Sequence, residues 1–439
     1  VLTLFATPKP FRGHIGTIQR NAITSWTTLR PRPEIILFGD EPGTGEICRE
    51  LELRHVPAVA CSEYGVPLLS DLFWRIQELA HYDVICYVNA DVILMSDFGE
   101  AIRRLAAFRN RFLMVGRRWD APINVLWDYG VPCWEKDLRQ HVLCQGMQGP
   151  LPGNSDYFVF PRGLWSSIPP LAIGRGWWDA WLVFEGRRLG AAVVDASSAV
   201  MAVHQMHDQG SHAHGLRRWR AELNTNYRMV GREAARFCLY DATHLLTPEG
   251  LRRPRGLRYR IRHLDTLAVF YPRLAGPLQI PKAAIAAIRG LRKRIALAGD
   301  PVARLATLVL SKLPADGITA VLGLTDGPST QPPGNSRGLR LAHGLLWGGY
   351  PVVAYDPEPS VLAHARRLLG GPIEFAMSVE ECVREADVVV IASSREEFQP
   401  VLAELLACRE RPCVVIDCCA HQMQGSAHAG IEYLSLAEK

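Results

Sequence analysis

At both ends of this 439-residue chain, short apolar runs alternate with segments of helical period, and no other feature limits the fold as strongly. A strand covered by helices on both faces reads as a continuous apolar run, not as an alternating one. In the first stretch LTLFAT, EIILFGD, VICYVN and FLMVG are such runs, each bounded by Pro, Gly, Asp or Arg. Between them GTIQRNAITSWTTL and LLSDLFWRIQELA space apolar residues by three and four, which is one face of a helix. SDYFVF, AAVVDA and AVMAVH add strands around a helix at WDAWLVFEGRRL. The alternation predicts an α/β fold with a mostly parallel sheet and helices on both faces.

From about residue 208 to 315 the strand signals fade. LDTLAVFYPRLAG and PKAAIAAIRGLRKRIALAG read as helices in an Arg-rich connector. From 317 the rhythm returns: ITAVLGL, YPVVAYDP, DVVVIAS and CVVIDCC as strands, RGLRLAHGLLWGG, VLAHARRLLGG and SVEECVREA as helices. That order predicts a second, smaller doubly wound domain. The chain is long for a single core, so the expected organisation is a domain over 1–215, a basic helical connector over 216–316 and a Rossmann-like domain over 317–439.

Composition narrows the functional classes. With 48% hydrophobic and 21% charged residues the chain has a soluble globular make-up, and no apolar run reaches the roughly 18 residues of a spanning helix. No charged-and-apolar leader pattern opens the chain, so secretion is not expected. The 11 cysteines are odd in number and include no CxxC pair. Reduced thiols in the cytoplasm are expected rather than a zinc or disulfide framework.

The net charge of +5 hides an asymmetry, because 251–294 holds twelve Lys/Arg against one acid, Asp265. The plain reading is a solvated or domain-packing helical face. The functional alternative is peripheral contact with anionic headgroups at the inner membrane face, or with a diphosphate-linked lipid acceptor. No fold or reader motif supports nucleic-acid binding.

The segment VICYVNADVIL runs an apolar strand to Val88 and then sets Asn89, Ala90 and Asp91 at its carboxyl end. Ligands of open α/β sheets bind at such ends. Two oxygen ligands two residues apart can share a hard divalent cation with a diphosphate. On its own the triplet reads more readily as a loop acid capping the next turn.

Taken with the order of the surrounding elements, NAD at this strand end resembles the DxD motif of the GT-A fold of glycosyltransferases, over roughly 1–215. That resemblance implies a metal-dependent transferase using a nucleotide-sugar donor, UDP-linked, with Mn²⁺ or Mg²⁺. Asn89 in place of the first acid makes Asp91 the direct metal ligand, with Asn89 implied to hold a ribose hydroxyl or a water, and Ala90 beside them in the nucleotide site. The loop after the first strand, including Thr7, Pro8 and Arg12, is implied to lie against the nucleotide, with Asp40 against its base and Arg75 as a further contact.

Asn154 and Asp156, at the mouth of the strand in SDYFVF, suit sugar hydroxyls, or form an ordinary Asx turn. Asp179 follows Trp177 and Trp178 at a helix start, where an N-cap is the plain alternative. By the resemblance, Asp179 is the base of an inverting displacement, and the two indoles are sugar-stacking faces. His204 and His207, followed by Asp208, His212 and His214, stand where such enzymes close the metal site with a histidine, so one of the pair is expected to be the second ligand.

The stretch at about 317–420, with its turn into Tyr355-Asp356-Pro357, resembles the UDP-binding domain of UDP-glucose/GDP-mannose dehydrogenases. It departs where that family carries cationic diphosphate contacts, reading Thr325-Asp326-Gly327 and Gly334-Asn335-Ser336. Gly323 and Gly327 complete no GxGxxG, so NAD binding is not expected. A domain retained for assembly, such as a homo-oligomer, or for binding something other than UDP, is.

The expected function is transfer of a sugar from the nucleotide donor to a glycan or lipid-linked hydroxyl acceptor. The alternative is a nucleotide-sugar-binding or scaffold protein without turnover. Sugar nucleotidyl transfer is disfavoured, because TPKPFRGH is not the glycine-rich basic loop it needs after the first strand.

Overall fold

A computed structural model describes residues 2–108, 111–148, 155–207, 215–271, 273, 300–314, 317–325, 336–347, 350–369, 373–395, 398, 411–419 and 430–436. They group into two compact units, Val1–His207 with Thr225–Lys282, and Asp208–Asn224 with Ala283–Lys439. The stretch expected to be one connector, 216–316, is divided between them. Its second predicted helix, 281–299, and the rest of 274–299 lie outside the described residues.

The first unit contains β1 (Thr3–Ala6), β2 (Glu34–Phe38), β3 (Arg54–Val56), β4 (Val84–Val88), β5 (Val92–Ile93), β6 (Phe112–Val115) and β7 (Arg118–Ala121). Then come β8 (Met147–Gln148), β9 (Tyr157–Pro161), β10 (Ala192–Asp195), β11 (Ala202–Gln205), β12 (His244–Thr247) and β13 (Gly250–Arg252). Its helices are α1 (Gly13–Thr28), α2 (Thr44–Glu50), α3 (Leu69–Leu79), α4 (Ser96–Phe108), α5 (Trp134–Gln145) and α6 (Trp178–Arg188). Helix α7 (Leu216–Ala234) kinks at Gly231, and α8 (Leu257–Phe270) follows the last hairpin.

Nine strands form one sheet in the order β13-β12-β10-β6-β9-β4-β1-β2-β3. Only β9 and the edge strand β13 run against their neighbours, which is the mostly parallel α/β sheet expected. Along β1, Leu4 joins the core under one face and Phe5 the core under the other, because successive side chains of a strand point opposite ways. Phe5, Phe73, Tyr87 and Phe160 meet edge-on or stacked, with ring centroids 5.2–6.5 Å apart. Burying each such ring stabilises the fold by about 1.5–3 kcal/mol.

Four short strands make a second sheet, β5-β11-β7-β8. AVMAVH is thus a strand as expected, but it pairs here and not in the large sheet. Strands β4 and β6 end on the same edge of the large sheet, and the chain crosses from each directly into the small one. One crossing is Asn89-Ala90-Asp91, the other Gly116-Arg117. A Cβ added at Gly116 would lie 2.1 Å from the Tyr157 hydroxyl oxygen, so only glycine lets the chain leave β6 past β9.

The stretch in which strand signals faded also contains the β12–β13 hairpin, with β12 parallel to β10. Runs of four and three residues around a Pro-Glu-Gly turn are too short to announce themselves. Part of its positive charge is structural: Arg262 of α8 grips the fully buried Asp241 at 2.8–3.0 Å. That portion is a packing face, the plainer of the two readings. Among the described residues no helix is long and apolar enough to cross a membrane.

The second unit is a parallel six-stranded sheet, the Rossmann-like class expected. Its strands are β14 (Thr319–Leu322), β15 (Val352–Tyr355), β16 (Ile373–Phe375), β17 (Val388–Ile391), β18 (Cys413–Asp417) and β19 (Ile431–Ser435). They run in the order β16-β15-β14-β17-β18-β19, with helices α9 (Pro301–Lys312), α10 (Arg337–Trp347), α11 (Pro359–Leu368) and α12 (Val379–Val383). Asp300 caps α9 by accepting from the Val302 N–H, with Pro301 at the first turn. Asp356, the acid of the Tyr355-Asp356-Pro357 turn, accepts the N–H groups of Leu324 and Thr325 at 2.9 and 3.1 Å. Its carboxylate locks the end of β14.

Candidate metal centre

Three ligand-type side chains converge where β4 leaves the large sheet. Asp91, His204 and His207 each bring one ligand atom within 4.8 Å of the others. Nε2 of His207 lies 3.1 Å from Oδ2 of Asp91, and Nε2 of His204 3.7 Å from the same oxygen. Asp91 comes from the turn into β5, closed by the Val92 N–H on the Asn89 carbonyl. His204 comes from β11, and His207 lies just beyond it.

The neighbourhood fits a divalent cation. Oδ1 of Asp91 is buried and accepts no hydrogen bond among the described residues, a costly state for a carboxylate oxygen unless something positive meets it. One oxygen and two imidazole nitrogens suit Mn²⁺ better than Mg²⁺. Burial by itself would raise the Asp91 carboxyl, but the charge of His204, the hydrogen bond and charge of His207, and Lys9 together hold it well below the usual carboxylate range.

Buried polar groups fix the backbone around this cluster. The amide of Gln205, wholly buried on β11, donates to the carbonyls of Asp91 (3.0 Å) and Ile18 (2.6 Å). Its carbonyl oxygen accepts from Asn21 of α1 at 2.8 Å. His14 donates to the Met206 carbonyl at 3.1 Å. Beyond His204, Nδ1 meets Oδ1 of Asp120 at 2.7 Å. Arg118 pairs with Asp120 at 2.9 Å and with Asp156 at 2.8 Å.

Asn89 is occupied by protein partners. Its amide donates to Asp156 at 2.9 Å, and its oxygen accepts from the Tyr87 hydroxyl at 3.0 Å. Asn89 therefore orients Asp156 rather than facing the Asp91 cluster. Ala90 is buried between them.

Asp179 opens α6, and its carboxyl is raised above the usual value. Burial is the main cause and the negative charge of Asp156 adds to it, while the N–H groups of Ala180 and of Asp179 itself oppose. Trp177, two residues earlier, has the left-handed φ of 67°, costing about 1–2 kcal/mol in a residue other than glycine. Backbone strain of this kind gathers at functional sites. The ring of Trp177 lies against Tyr227 at 5.3 Å. Trp178 is 6% exposed and packs edge-on or tilted against Tyr87 and Phe158. The expectation that Trp178 stacks on a sugar is corrected by that burial, which makes the indole part of the core.

The other expected contacts scatter along the same edge. Thr7 is half-buried, Pro8 buried, and Arg12 and Asp40 exposed. The loop carrying the first three is clamped by Gln19, which binds Lys9 through both its N–H and its carbonyl. Arg75 is engaged locally, over the Phe38 ring, beside Asp71 and on the Ala58 carbonyl. Asn154, Asp208, His212 and His214 lie outside the described residues.

Lys9 stands in the loop that the sequence already set against the nucleotide, whereas Arg118, Asp120 and Gln205 were missed. The others carry no local signal, because their partners are distant in the chain.

The family match falls in the second unit. A family model described as NADP oxidoreductase coenzyme F420-dependent matches residues 336–421. UDP-glucose 6-dehydrogenase AglM of Haloferax volcanii is 35% identical over 115 residues, 26% of this chain and 26% of that protein. The chain thus spans about a quarter of the curated relative it matches.

Among solved structures, a GDP-mannose dehydrogenase from Pseudomonas aeruginosa is 18% identical, covering 41% of this chain and 38% of its own, with a TM-score of 0.23. Glucosyl-3-phosphoglycerate synthase from Mycobacterium tuberculosis, in complex with Mg²⁺ and UDP, is 16% identical over 52% of this chain and 79% of its own, with a TM-score of 0.32. The mannosyltransferase PcManGT from Pyrobaculum calidifontis, in complex with GDP-Man and Mn²⁺, is 15% identical over 70% and 80%, with a TM-score of 0.34. At these distances the functional reading falls to the site itself.

Proposed function

We propose that the first unit is a metal-dependent glycosyltransferase that moves a sugar from a UDP-linked donor to the hydroxyl of a glycan or lipid-linked acceptor, with inversion. One observation carries this reading. Asp91, His204 and His207 converge at the carboxyl end of β4, with a buried carboxylate oxygen that has no hydrogen-bond partner among the described residues, where open α/β sheets bind ligands.

In this reading Asp91 and both histidines hold Mn²⁺ or Mg²⁺. When bound, the cation offsets the charge that develops on the departing nucleoside diphosphate. Lys9, whose charge already reaches Asp91, adds a second positive group on the diphosphate side. Asp179 accepts the proton of the acceptor hydroxyl. A carboxylate raised by burial is a stronger base than one in water, and this is what general-base work requires. Asp156, held by Arg118 and Asn89, keeps a negative charge near Asp179 and so sustains that basicity.

Calorimetric titration of UDP with and without Mn²⁺ tests the proposal. The transferase reading expects tighter binding with metal and loss of that gain in Asp91→Ala. UDP binding that ignores both the metal and the substitution would favour a nucleotide-sugar-binding scaffold instead.

A further inference from the structure

Across the His204 ring from Asp91 stands a carboxylate with no evident part in binding substrate. We propose that Asp120 is the positioning residue of the metal centre, setting the tautomer and aim of His204 so that Nε2 is the ligand atom. The inference rests on the metal-dependent reading above and concerns how the site is held ready.

The register of the small sheet creates the pairing. On β11 and β7, His204 lies directly opposite Asp120, and Arg118, two residues earlier on β7, shares Asp120's face. The 2.7 Å contact joins Nδ1 of His204 to Oδ1 of Asp120. A carboxylate only accepts, so Nδ1 carries the proton, and in the neutral ring Nε2 then keeps its lone pair. Nε2 is the nitrogen 3.7 Å from Oδ2 of Asp91.

Asp120 is itself braced. Arg118 meets it at 2.9 Å through Nε and reaches Asp156 at 2.8 Å through Nη1. The guanidinium thus lies between two carboxylates, hydrogen-bonded to Asp156 and in ion-pair contact with Asp120. Every member sits on a strand or at a strand end, and such supports orient ligands more accurately than loops do.

The test uses the full chain as wild type, Asp120→Ala, Asp120→Asn and Asp91→Ala. Mn²⁺ affinity is read from the electron-spin resonance of the free ion. The tautomer of His204 is read from ¹⁵N shifts of the metal-free protein at alkaline pH.

The expected result is Mn²⁺ binding weakened about 10- to 100-fold in Asp120→Ala, with metal-free UDP affinity unchanged. His204 should be Nδ1-protonated in wild type. In Asp120→Asn, whose amide can also donate to Nδ1, part of the population should shift to Nε2–H. Wild-type Mn²⁺ affinity in Asp120→Ala, with Asp91→Ala impaired, would overturn this inference alone. Equal Mn²⁺ binding by wild type and Asp91→Ala would overturn the metal-site reading and this inference with it. If Asp120→Ala melts early, the tautomer decides, and Nε2–H in wild type would refute the positioning role.

Discussion

Replacing Asp179 by asparagine removes a proton acceptor while keeping an oxygen for the backbone N–H groups of Ala180 and residue 179 that now oppose its raised pKa. The fold should therefore persist. General bases contribute about 10²- to 10⁴-fold, and each tenfold is about 1.36 kcal/mol of barrier. The expected loss in kcat is thus roughly 3–5 kcal/mol, with KM for the donor nearly unchanged, because the proposal sets Asp179 against the acceptor.

The pH profile carries the sharper sign. A base must be ionised, and burial with the Asp156 charge raises Asp179. Wild-type turnover should therefore fall as the pH drops through a value above the ordinary carboxylate range, and Asp179→Asn should lack that limb. Asp156→Asn removes a negative neighbour and moves the limb to lower pH. Steady-state transfer rates across pH decide the matter. An Asp179→Asn protein with the wild-type rate, or with the same acid limb, would refute the assignment.

In Asp91→Ala the dependence of UDP affinity on Mn²⁺ should vanish while the protein melts near the wild-type temperature, which paired titration and calorimetry check. Arg262→Ala leaves the fully buried Asp241 without its guanidinium partner, so the first unit should lose about 3–5 kcal/mol in denaturant titration. Gly116→Ala forces a methyl group against the Tyr157 hydroxyl. It should cost about 1–3 kcal/mol and disturb Mn²⁺ binding as well, because Gly116 leads straight into β7.

The strands β1, β2, β4, β6 and β9 are legible because each is an apolar run ended by a turn residue, and α1 and α3 because their apolar faces recur at helical spacing. Asp91 is legible for a related reason: an acid directly after a buried strand stands at the sheet's carboxyl edge whatever the strand order. The β12–β13 hairpin is not legible, since its pairing with β10 depends on a neighbour some fifty residues away and not on local propensity. Trp178 shows the opposite error. A tryptophan beside a candidate acid suggested a sugar platform, and only packing against Tyr87 and Phe158 makes it core.

The Asn89-Ala90-Asp91 turn and the histidines after AVMAVH are therefore properties of the sequence, each set by where an apolar run stops. That they form one site is not. His204 meets Asp91 and Asp120 because β11 lies between β5 and β7, and Asn89 is drawn toward Asp156 because β9 runs beside β4. Strand order and register are settled by long-range pairing and burial on both faces of a sheet, and no stretch of chain contains both partners of those contacts.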